Sequence, residues 1–332
     1  MKRANHDLVP PHHRAGGGFR NPWPSAASHG AGGFLKWVLT RSKRNPLDNH
    51  PPIRPNNPEP VSAEPDEAVV TWIGHSTFLL QLSGLNVLTD PIWSERASPV
   101  SFAGPRRLVP PGVTLDHLPE IHITLLSHDH YDHLDDLTVR YLIRRFPAMQ
   151  WLVPLGVADF LTSRGAGIVT ELDWWKVASL RGATFCCTPA QHFSGRFPWN
   201  RNATLWCGWV MRTDEKAVFF AGDTALHPDF EEIAQRFGPF DASILPIGAY
   251  EPRWFMRNVH MDPSEAVKAF VAMKNSNEIS NGVMVGSHWG TFRLTDEPVD
   301  EPPILARQAW ATASLAADRL WILDPGEGRT LK

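Results

Sequence analysis

The stretch SHDHYDHLD, residues 127–135, holds three histidines and three aspartates within nine positions. The apolar run ITLLS at 123–127 leads into it and is typical of a buried strand. Residues two apart on an extended segment point the same way, so His128 and His130 face one side, and Asp132 and His133 begin the turn into a helix. Imidazole and carboxylate groups are ligands for zinc and its first-row neighbours. The stretch therefore predicts a metal site that follows a strand.

A solvated charge run is the alternative interpretation of the same residues. Asp132, Asp135 and Asp136 at a helix start would stabilise the positive end of the helix dipole without any metal. Aspartates alone would favour that alternative, but three imidazoles spaced at i, i+2 and i+5 favour a metal site.

Three later residues also follow strand-like runs. His192 comes soon after TFCCTP, Asp223 directly after AVFFAG, and His288 directly after GVMVGS. A lone histidine is more often a core or surface residue, and a Gly-Asp pair is usually a turn. Because functional groups gather where strands end, we expect the three to join the first stretch in one site, with enough ligands for two cations.

The composition is that of a soluble globular chain. Its 332 residues are 42% hydrophobic and 20% charged, a length that fits one large domain or two small ones. Three cysteines without a C-x-x-C pair predict neither a disulfide framework nor a cysteine metal site, so a reducing compartment is expected. No secretory signal and no spanning helix can be read, and we therefore expect a cytoplasmic protein.

The first 65 residues differ from the rest. They hold 11 of the 30 prolines, and nine Lys or Arg against four Asp or Glu, which predicts a basic, irregular N-terminal arm over 1–65 and a folded domain over 66–332. The negative charge of the domain argues against nucleic acid as a stable partner. The apolar cluster of the arm, at 34–39, would either dock on an anionic membrane or pack on the domain itself.

The many strand-like runs and several helical segments of the domain predict a mixed α/β fold, with a sheet-rich core covered by helices. One predicted helix begins with Asp262 as N-cap, Pro263 at the first helical position and Glu265 two positions later. Apolar spacing predicts helices near 135–146, 156–164, 228–237, 263–274 and 303–317. Predicted strands lie at 69–73, 77–82, 86–90, 123–127, 151–154, 184–189, 204–211, 217–222, 242–247 and 282–287.

The order of these motifs resembles a known family. S-H-D-H-Y-D-H-L-D, followed by A-Q-H, A-G-D-T and S-H-W-G-T-F, is similar to the metallo-β-lactamase-fold hydrolases. The resemblance implies an α/β protein built as an αββα four-layer sandwich, a single domain with an irregular N-terminal arm and two metals at one edge.

A narrower resemblance concerns the N-acylphosphatidylethanolamine-hydrolysing phospholipase D group. It rests on seven segments, F-R-N-P-W-P (19–24), G-H-S-T (74–77), L-T-D-P-I (88–92), R-A-S-P (96–99), E-L-D-W-W (171–175), F-E-E-I-A-Q-R-F-G-P-F-D (230–241) and I-G-A-Y-E-P-R-W-F-M (247–256). The loop FSGRFPWNRNATL after His192 is less similar to the group, so we assign it no role from the resemblance.

Carried over by position, the resemblance implies two zinc ions, and the ligand types would also accept manganese or iron. Asp223 would bridge the two ions. The first would be bound by His128, His130 and His192, and the second by Asp132, His133 and His288.

The reaction implied is hydrolysis of N-acylphosphatidylethanolamine to N-acylethanolamine and phosphatidic acid. A dizinc-bound hydroxide would attack phosphorus directly, and the absence of an H-x-K pair from the sequence excludes a phosphohistidine route. We predict catalytic roles for Asp132, Asp223 and His260. The resemblance places Tyr131 and His260 against the lipid, although Tyr131 would equally serve to orient its loop. Arg253 and Arg257 are predicted to pair with the substrate phosphate, beside the run 254–256, whose apolar side chains would contact the lipid.

The implied partners are a phospholipid substrate at a membrane surface and a second copy of the chain, as a homodimer. Two alternatives stay open. The same ligands would support another hydrolase of this fold acting on a lactone or a nucleotide phosphodiester. A non-catalytic, metal-binding, membrane-associated protein is disfavoured, because a structural zinc is closed by four ligands and seven would exceed that number.

Overall fold

In the computed structural model, the described residues are 9–23, 30–40, 67–274 and 282–332. Their strands form two stacked sheets with helices on the outer faces, which confirms the predicted αββα sandwich. The arm-to-domain boundary predicted at residues 65 and 66 lies outside the described residues.

Each sheet has seven strands within the described residues. The first contains β1 (Ala68–Gly74), β2 (Thr77–Leu82), β3 (Leu85–Thr89), β4 (Ile123–Leu125), β5 (Gln150–Pro154), β6 (Ile168–Leu172) and β14 (Gly328–Thr330). The second contains β7 (Val177–Leu180), β8 (Ala183–Thr188), β9 (Gly208–Arg212), β10 (Ala217–Phe220), β11 (Ala242–Pro246), β12 (Val283–Ser287) and β13 (Leu320–Trp321). The strand orders are β14-β1-β2-β3-β4-β5-β6 and β13-β12-β11-β10-β9-β8-β7.

The described helices are α1 (Gly30–Thr40), α2 (Asp136–Arg145), α3 (Ala158–Thr162), α4 (Asp229–Phe237), α5 (Arg253–Met256), α6 (Pro263–Ala272) and α7 (Glu301–Thr312). The predicted start of α6 is confirmed by two hydrogen bonds. The Asp262 carboxylate accepts one from the Glu265 amide, and the Glu265 carboxylate accepts one from the Asp262 amide. None of the described helices has the length and apolar content needed to cross a bilayer.

Alternating side chains of the first sheet explain why two layers pack on it. Phe78 and Leu80 belong to the core between the sheets, whereas Leu79 faces the cluster that includes Val139 and Leu142 of α2. This period of two is the geometry of a strand with both faces buried. Helices α4, α6 and α7 cover the second sheet through buried side chains such as Ile233, Phe270 and Trp310, which belong to the same continuous hydrophobic cluster as Phe78 and Leu80.

Some elements differ from the sequence-based expectation. Strands β6, β7, β13 and β14 were not predicted, because each is a short strand at the edge of its sheet, with partly exposed residues and little apolar periodicity. The strand expected from residue 204 begins at Gly208. Helix α7 begins at Glu301, before Pro302 and Pro303, since a proline in the first turn removes no helical hydrogen bond.

The N-terminal arm is less irregular than predicted, because α1 lies within it. Helix α1 packs on α5 through Trp37, whose ring stacks on Phe255 with centroids 5.5 Å apart. Leu35, Val38 and Leu39 of the same helix are exposed. Among the side chains of the arm cluster that the structure describes, Trp37 therefore packs on the domain, whereas Leu35, Val38 and Leu39 face solvent.

The chain direction places the ends of several strands at one edge of the sandwich. Strands β3 to β6 are parallel, and so are β10 to β13. Strand β8 runs in the direction of β10, because both are antiparallel to β9. Loops that leave the carboxyl ends of these strands therefore meet where the two sheets open.

Gly248 allows two of these loops to touch. A Cβ at this position would lie 2.2 Å from the carbonyl oxygen of His288, which itself has a left-handed φ of 59°. Only glycine leaves room for the His288 backbone there.

We expect Gly248→Ala to lower the free energy of unfolding by about 1–3 kcal/mol, because the added methyl group must displace the His288 backbone. Urea unfolding followed by circular dichroism measures the change. Gly167→Ala is the control, since its Cβ would meet only the Pro147 carbonyl oxygen at 3.7 Å, an ordinary contact. Equal stability of the two variants would contradict this account of Gly248.

Candidate metal centre

All seven predicted ligands lie together where the sheets open. His128 and His130 follow β4, His192 follows β8, Asp223 follows β10 and His288 follows β12. Each imidazole or carboxylate is thus carried by a short loop whose start is fixed by a buried strand. Of the seven, only His130 and Asp132 are partly exposed.

The first group consists of His128, His130 and His192. The Nε2 atom of His128 lies 2.8 Å from Nδ1 of His130, and Nε2 of His192 lies 3.3 Å from the same atom. The three nitrogens converge within 4.8 Å of one another. This convergence fits the set that the resemblance implies for one metal.

The second group consists of Asp132, His133 and His288. Oδ2 of Asp132 lies 3.4 Å from Nε2 of His133 and 3.5 Å from Nε2 of His288. His75 joins this group, with its Nε2 atom 3.0 Å from Oδ2 of Asp132.

Asp223 lies between the two groups. Its Oδ2 atom is 3.1 Å from Nε2 of both His133 and His288 in the second group. In the first group it is 3.7 Å from Nε2 of His192 and 3.9 Å from Nε2 of His128. A carboxylate in this position has the geometry of a bridging ligand.

Several buried atoms of the centre lack hydrogen-bond partners among the described residues. They include Nε2 of His133, Nε2 of His288 and Oδ1 of Asp223. The two nitrogens are close to Asp223 Oδ2, but their geometry does not satisfy a hydrogen bond. Unpaired polar atoms are costly to bury, and divalent cations would satisfy them. The residues therefore fit a metal pair.

Electrostatics favours ligand-competent protonation states in the first group. Burial, followed by the neighbouring imidazoles, lowers the pKa of His128 well below its usual value. Burial also lowers the pKa of His130 to about 3 and that of His192 to about 4. These rings are therefore neutral at pH 7, as metal coordination requires.

In the second group the carboxylates dominate. Burial would lower the pKa of His133, but Asp223, Asp132 and Asp90 outweigh burial and hold it well above its usual value. Burial would raise the pKa of Asp223, but His133 and His288 hold it well below its usual range. The carboxylate thus stays ionised, and a bound cation would take the place of the protons on the two imidazoles.

Asp90 orients two ligands from behind, a role that the sequence analysis did not assign. Its Oδ2 atom accepts from Nδ1 of His133 at 2.8 Å and from the Ser127 hydroxyl at 2.6 Å. The same hydroxyl lies 2.8 Å from Nδ1 of His128. A carboxylate behind a ligating histidine fixes its tautomer and its ring orientation. The sequence does contain a signal for this role, because Asp90 directly follows β3, just as Asp223 follows a strand.

His75 is the second residue that the sequence analysis missed. It is buried in the turn between β1 and β2, where its φ is 56°. Asp90 and His288 also have left-handed φ, 33° and 59°. Non-glycine residues in this region carry backbone strain, and strain of this kind concentrates at functional sites.

The pattern of a β-lactamase superfamily domain matches residues 85–289. The chain belongs to the β-lactamase superfamily. The superfamily match includes all seven predicted ligands, and the fold and the named relatives make the chain a metal-dependent hydrolase.

Two relatives and one solved structure show the extent of the similarity. An uncharacterized protein of Mycobacterium tuberculosis is 44% identical over 263 residues, which cover 76% of this chain and 68% of the relative. The N-acyl-phosphatidylethanolamine-hydrolyzing phospholipase D 1 of Caenorhabditis elegans is 41% identical over 243 residues, which cover 70% of this chain and 67% of the relative. A metallo hydrolase from Ignicoccus hospitalis has a TM-score of 0.58 at 23% identity, over 80% of this chain and 99% of that protein.

Within the superfamily fold, the other predicted site residues occupy different surroundings. His260 is buried at the centre, with Nε2 4.0 Å from Oδ2 of Asp223 and its ring 5.0 Å from that of His192. Tyr131 donates to the Arg196 carbonyl at 2.9 Å, which is the loop-orienting contact foreseen as its alternative role. Arg257 is exposed just after α5.

We expect Asp90→Asn to weaken metal binding about 10–100-fold. Asparagine can still accept a hydrogen bond from His133, but it no longer places a negative charge behind that ligand. Competition with a chromophoric chelator measures the affinity. Asp214→Asn, on an exposed turn, is the charge-matched control and should leave the affinity unchanged. Unchanged affinity in both variants, with the fold intact by circular dichroism, would refute the role of Asp90.

Proposed function

We propose that the protein is a phosphodiesterase of the phospholipase D type. It hydrolyses N-acylphosphatidylethanolamine to N-acylethanolamine and phosphatidic acid. The observation that carries the proposal is the pair of ligand groups that share Asp223, because two-metal sites suit the cleavage of phosphate esters. The name of the Caenorhabditis elegans relative supports the choice of lipid.

Two zinc ions are the proposed cofactors, and manganese or iron would fit the same nitrogen and oxygen ligands. One would be held by His128, His130 and His192, the other by Asp132, His133 and His288, with Asp223 shared. When bound, such a pair lowers the pKa of a shared water and neutralises negative charge on the phosphate oxygens.

The chain's own residues fix the geometry of this centre. The Val259 carbonyl lies 2.9 Å from Nδ1 of His192, and the Asp90 carboxylate holds His133, so each ring presents Nε2 to Asp223. His260 is proposed to contact the substrate, since its buried Nδ1 atom has no hydrogen-bond partner among the described residues. Its imidazole can donate one hydrogen bond to a phosphate oxygen or to the departing alkoxide.

A cavity of about 640 Å³ adjoins the stretch 127–135 through Tyr131 and Asp135. Tyr131, which stands between two predicted ligands in the chain, forms part of its wall, and Val100, Phe160 and Phe197 add apolar surface. The rest of the wall is largely polar and charged, so the cavity combines an apolar patch for part of a lipid chain with polar groups for a headgroup.

The exposed rim of this cavity is aromatic. Trp199 is 81% exposed and stacks on Phe197, with ring centroids 4.8 Å apart. Tryptophan at an exposed tip is suited to the interface between water and lipid. The loop FSGRFPWNRNATL is therefore the proposed lipid contact, and a membrane surface is the proposed partner.

The apolar run 254–256, which was predicted to contact the lipid, packs largely within the protein. Met256 is buried, and Phe255 stacks on Trp37 of α1. Arg253, expected beside the phosphate, pairs instead with Glu265 at 2.6 Å. Arg257 remains the proposed phosphate-pairing cation of this segment, because it is exposed.

Hydrolysis of N-acylphosphatidylethanolamine in mixed micelles tests the function. The zinc-loaded protein should release N-acylethanolamine, and Asp223→Asn should lose that activity by at least about 100-fold, because the shared ligand loses its charge. No release from a protein that still binds metal would overturn the lipid assignment and favour the lactone or nucleotide phosphodiester alternatives.

A separate prediction concerns the aromatic rim. We expect Phe197→Ser with Trp199→Ser to raise KM for vesicle-bound substrate about 10-fold, because two interfacial side chains worth about 1–2 kcal/mol together are removed. Cleavage of a soluble phosphodiester such as bis(p-nitrophenyl) phosphate should not change. Ile168→Ser is the control, since this exposed side chain begins β6, at the end of the sheet opposite the centre. An equal KM for the vesicle substrate in all three proteins would argue against lipid contact at the rim.

A further inference from the structure

A second cluster of metal-ligand side chains lies outside the candidate centre. It consists of His12 and His13 of the N-terminal arm and Asp173 of the domain, and we refer to it as the His-His-Asp cluster. Nε2 of His12 lies 2.7 Å from Oδ1 of Asp173, and Nε2 of His13 lies 2.8 Å from Oδ2. The three groups therefore meet at one carboxylate.

The local fold of the arm makes this convergence possible. Residues 10–20 form a tight hairpin in which the Arg14 amide donates to the Gly18 carbonyl and the Arg20 amide donates to the His12 carbonyl. His12 lies in the turn that opens the hairpin, so its side chain and that of the next residue point to the same side. On a regular strand they would point to opposite faces.

Packing holds both imidazoles in place. The His12 ring stacks on the Trp174 indole with centroids 4.3 Å apart, and the His13 ring meets the edge of Phe19 at 5.0 Å. The Trp174 amide donates to Oδ1 of Asp173 at 2.8 Å and fixes the carboxylate. Ligands held in position before binding lose little entropy when a cation arrives.

The cluster is separate from the candidate centre. Asp173 follows β6, which is two strands away from β4, so the strands that carry Asp173 and His128 are about 10 Å apart at ~4.8 Å per strand. No residue of the cluster is among the seven predicted ligands. The His13 side chain is 27% exposed, which leaves a route from solvent to the carboxylate.

We propose that His12, His13 and Asp173 bind a further divalent cation of the zinc class, which ties the N-terminal hairpin to the domain. Two imidazoles and one carboxylate are the three protein ligands of one class of four-coordinate zinc site, in which water takes the fourth position. Distances between ligand atoms in this cluster are similar to the 2.8 and 3.3 Å within the first group of the candidate centre. Binding requires that each ring present the Nε2 lone pair, with its proton on Nδ1.

A cation here would join segments about 160 residues apart in the chain, as the separations of 160 and 161 residues show. The unfolded chain would have to close this long loop before it could bind the cation, so the cation binds the folded state preferentially. Metal bound at this cluster would therefore stabilise the docked arm without taking part in the reaction.

The competing explanation is that the two imidazoles only donate hydrogen bonds to Asp173 and bind no cation. The variant His13→Gln distinguishes this explanation from cation binding. Glutamine keeps a side-chain N–H that can donate to Asp173, but it is a poor zinc ligand. His117→Gln is the control, because His117 is exposed and its Nδ1 atom lies 2.9 Å from the Thr114 hydroxyl in a local turn.

The first readout is the zinc content of the full-length protein after zinc loading and gel filtration, measured by mass spectrometry. We expect His13→Gln to hold one zinc ion fewer per chain than the wild type, and His117→Gln to match the wild type. The same loss should appear when Asp223→Asn is present in both proteins, so failure of the candidate centre would not hide the result. Equal zinc content in wild type and His13→Gln would overturn the proposal.

The second readout is tryptic cleavage after Arg14 and Arg20, which are exposed in the hairpin. Added zinc should slow this cleavage about tenfold in the metal-depleted wild type and leave the cleavage of His13→Gln unchanged. Protection that is independent of zinc in both proteins would show that hydrogen bonds alone hold the arm.

Discussion

The buried carboxylate of Asp223 is the group on which the arrangement of this molecule depends. Four imidazole nitrogens lie within 3.9 Å of its Oδ2 atom, and they come from loops of both sheets. An ionised group in so little water must be compensated by opposite charge. The two sheets must therefore open at the same edge, and their strands must end within a few ångströms of one another. The parallel runs β3 to β6 and β10 to β13 satisfy that requirement.

The sequence was sufficient to predict that the seven candidate ligands lie together, because each is tied to a local signal. A β-branched or apolar run precedes His128, Asp223 and His288. The position of a side chain directly after a strand depends on that strand and not on how distant parts of the chain pack. His75 and Asp90 stand at strand ends too, but they are single residues outside the histidine-rich stretch. Their importance depends on contacts with Asp132 and His133, and such contacts between distant parts of the chain are not visible in the order of the residues.

The limits of sequence reasoning are clearest in the arm and around α5. The proline content of the arm predicts irregular structure, yet Phe19 is buried with the core and α1 docks through Trp37. Likewise, the sequence predicts that Arg253 is a surface cation available to a phosphate, whereas in the structure it forms an ion pair with Glu265. In both cases tertiary packing overrides a local tendency, because a buried aromatic ring or a satisfied charge outweighs the small preferences encoded in composition.

The hydrogen bonds between the aromatic loop and the ligand stretch connect two surfaces. The Gly195 amide donates to Asp129 at 2.7 Å, and the Arg196 guanidinium donates to the carbonyl groups of Asp129 and Leu134. Since the same short loop carries Phe197 and Trp199, an interface that orders the loop also restrains the backbone that carries His128, His130 and Asp132. Thermodynamic linkage makes such an effect reciprocal. A cation that stiffens the ligand stretch would increase the affinity of the loop for a lipid surface by the same factor by which the surface increases the affinity for the cation.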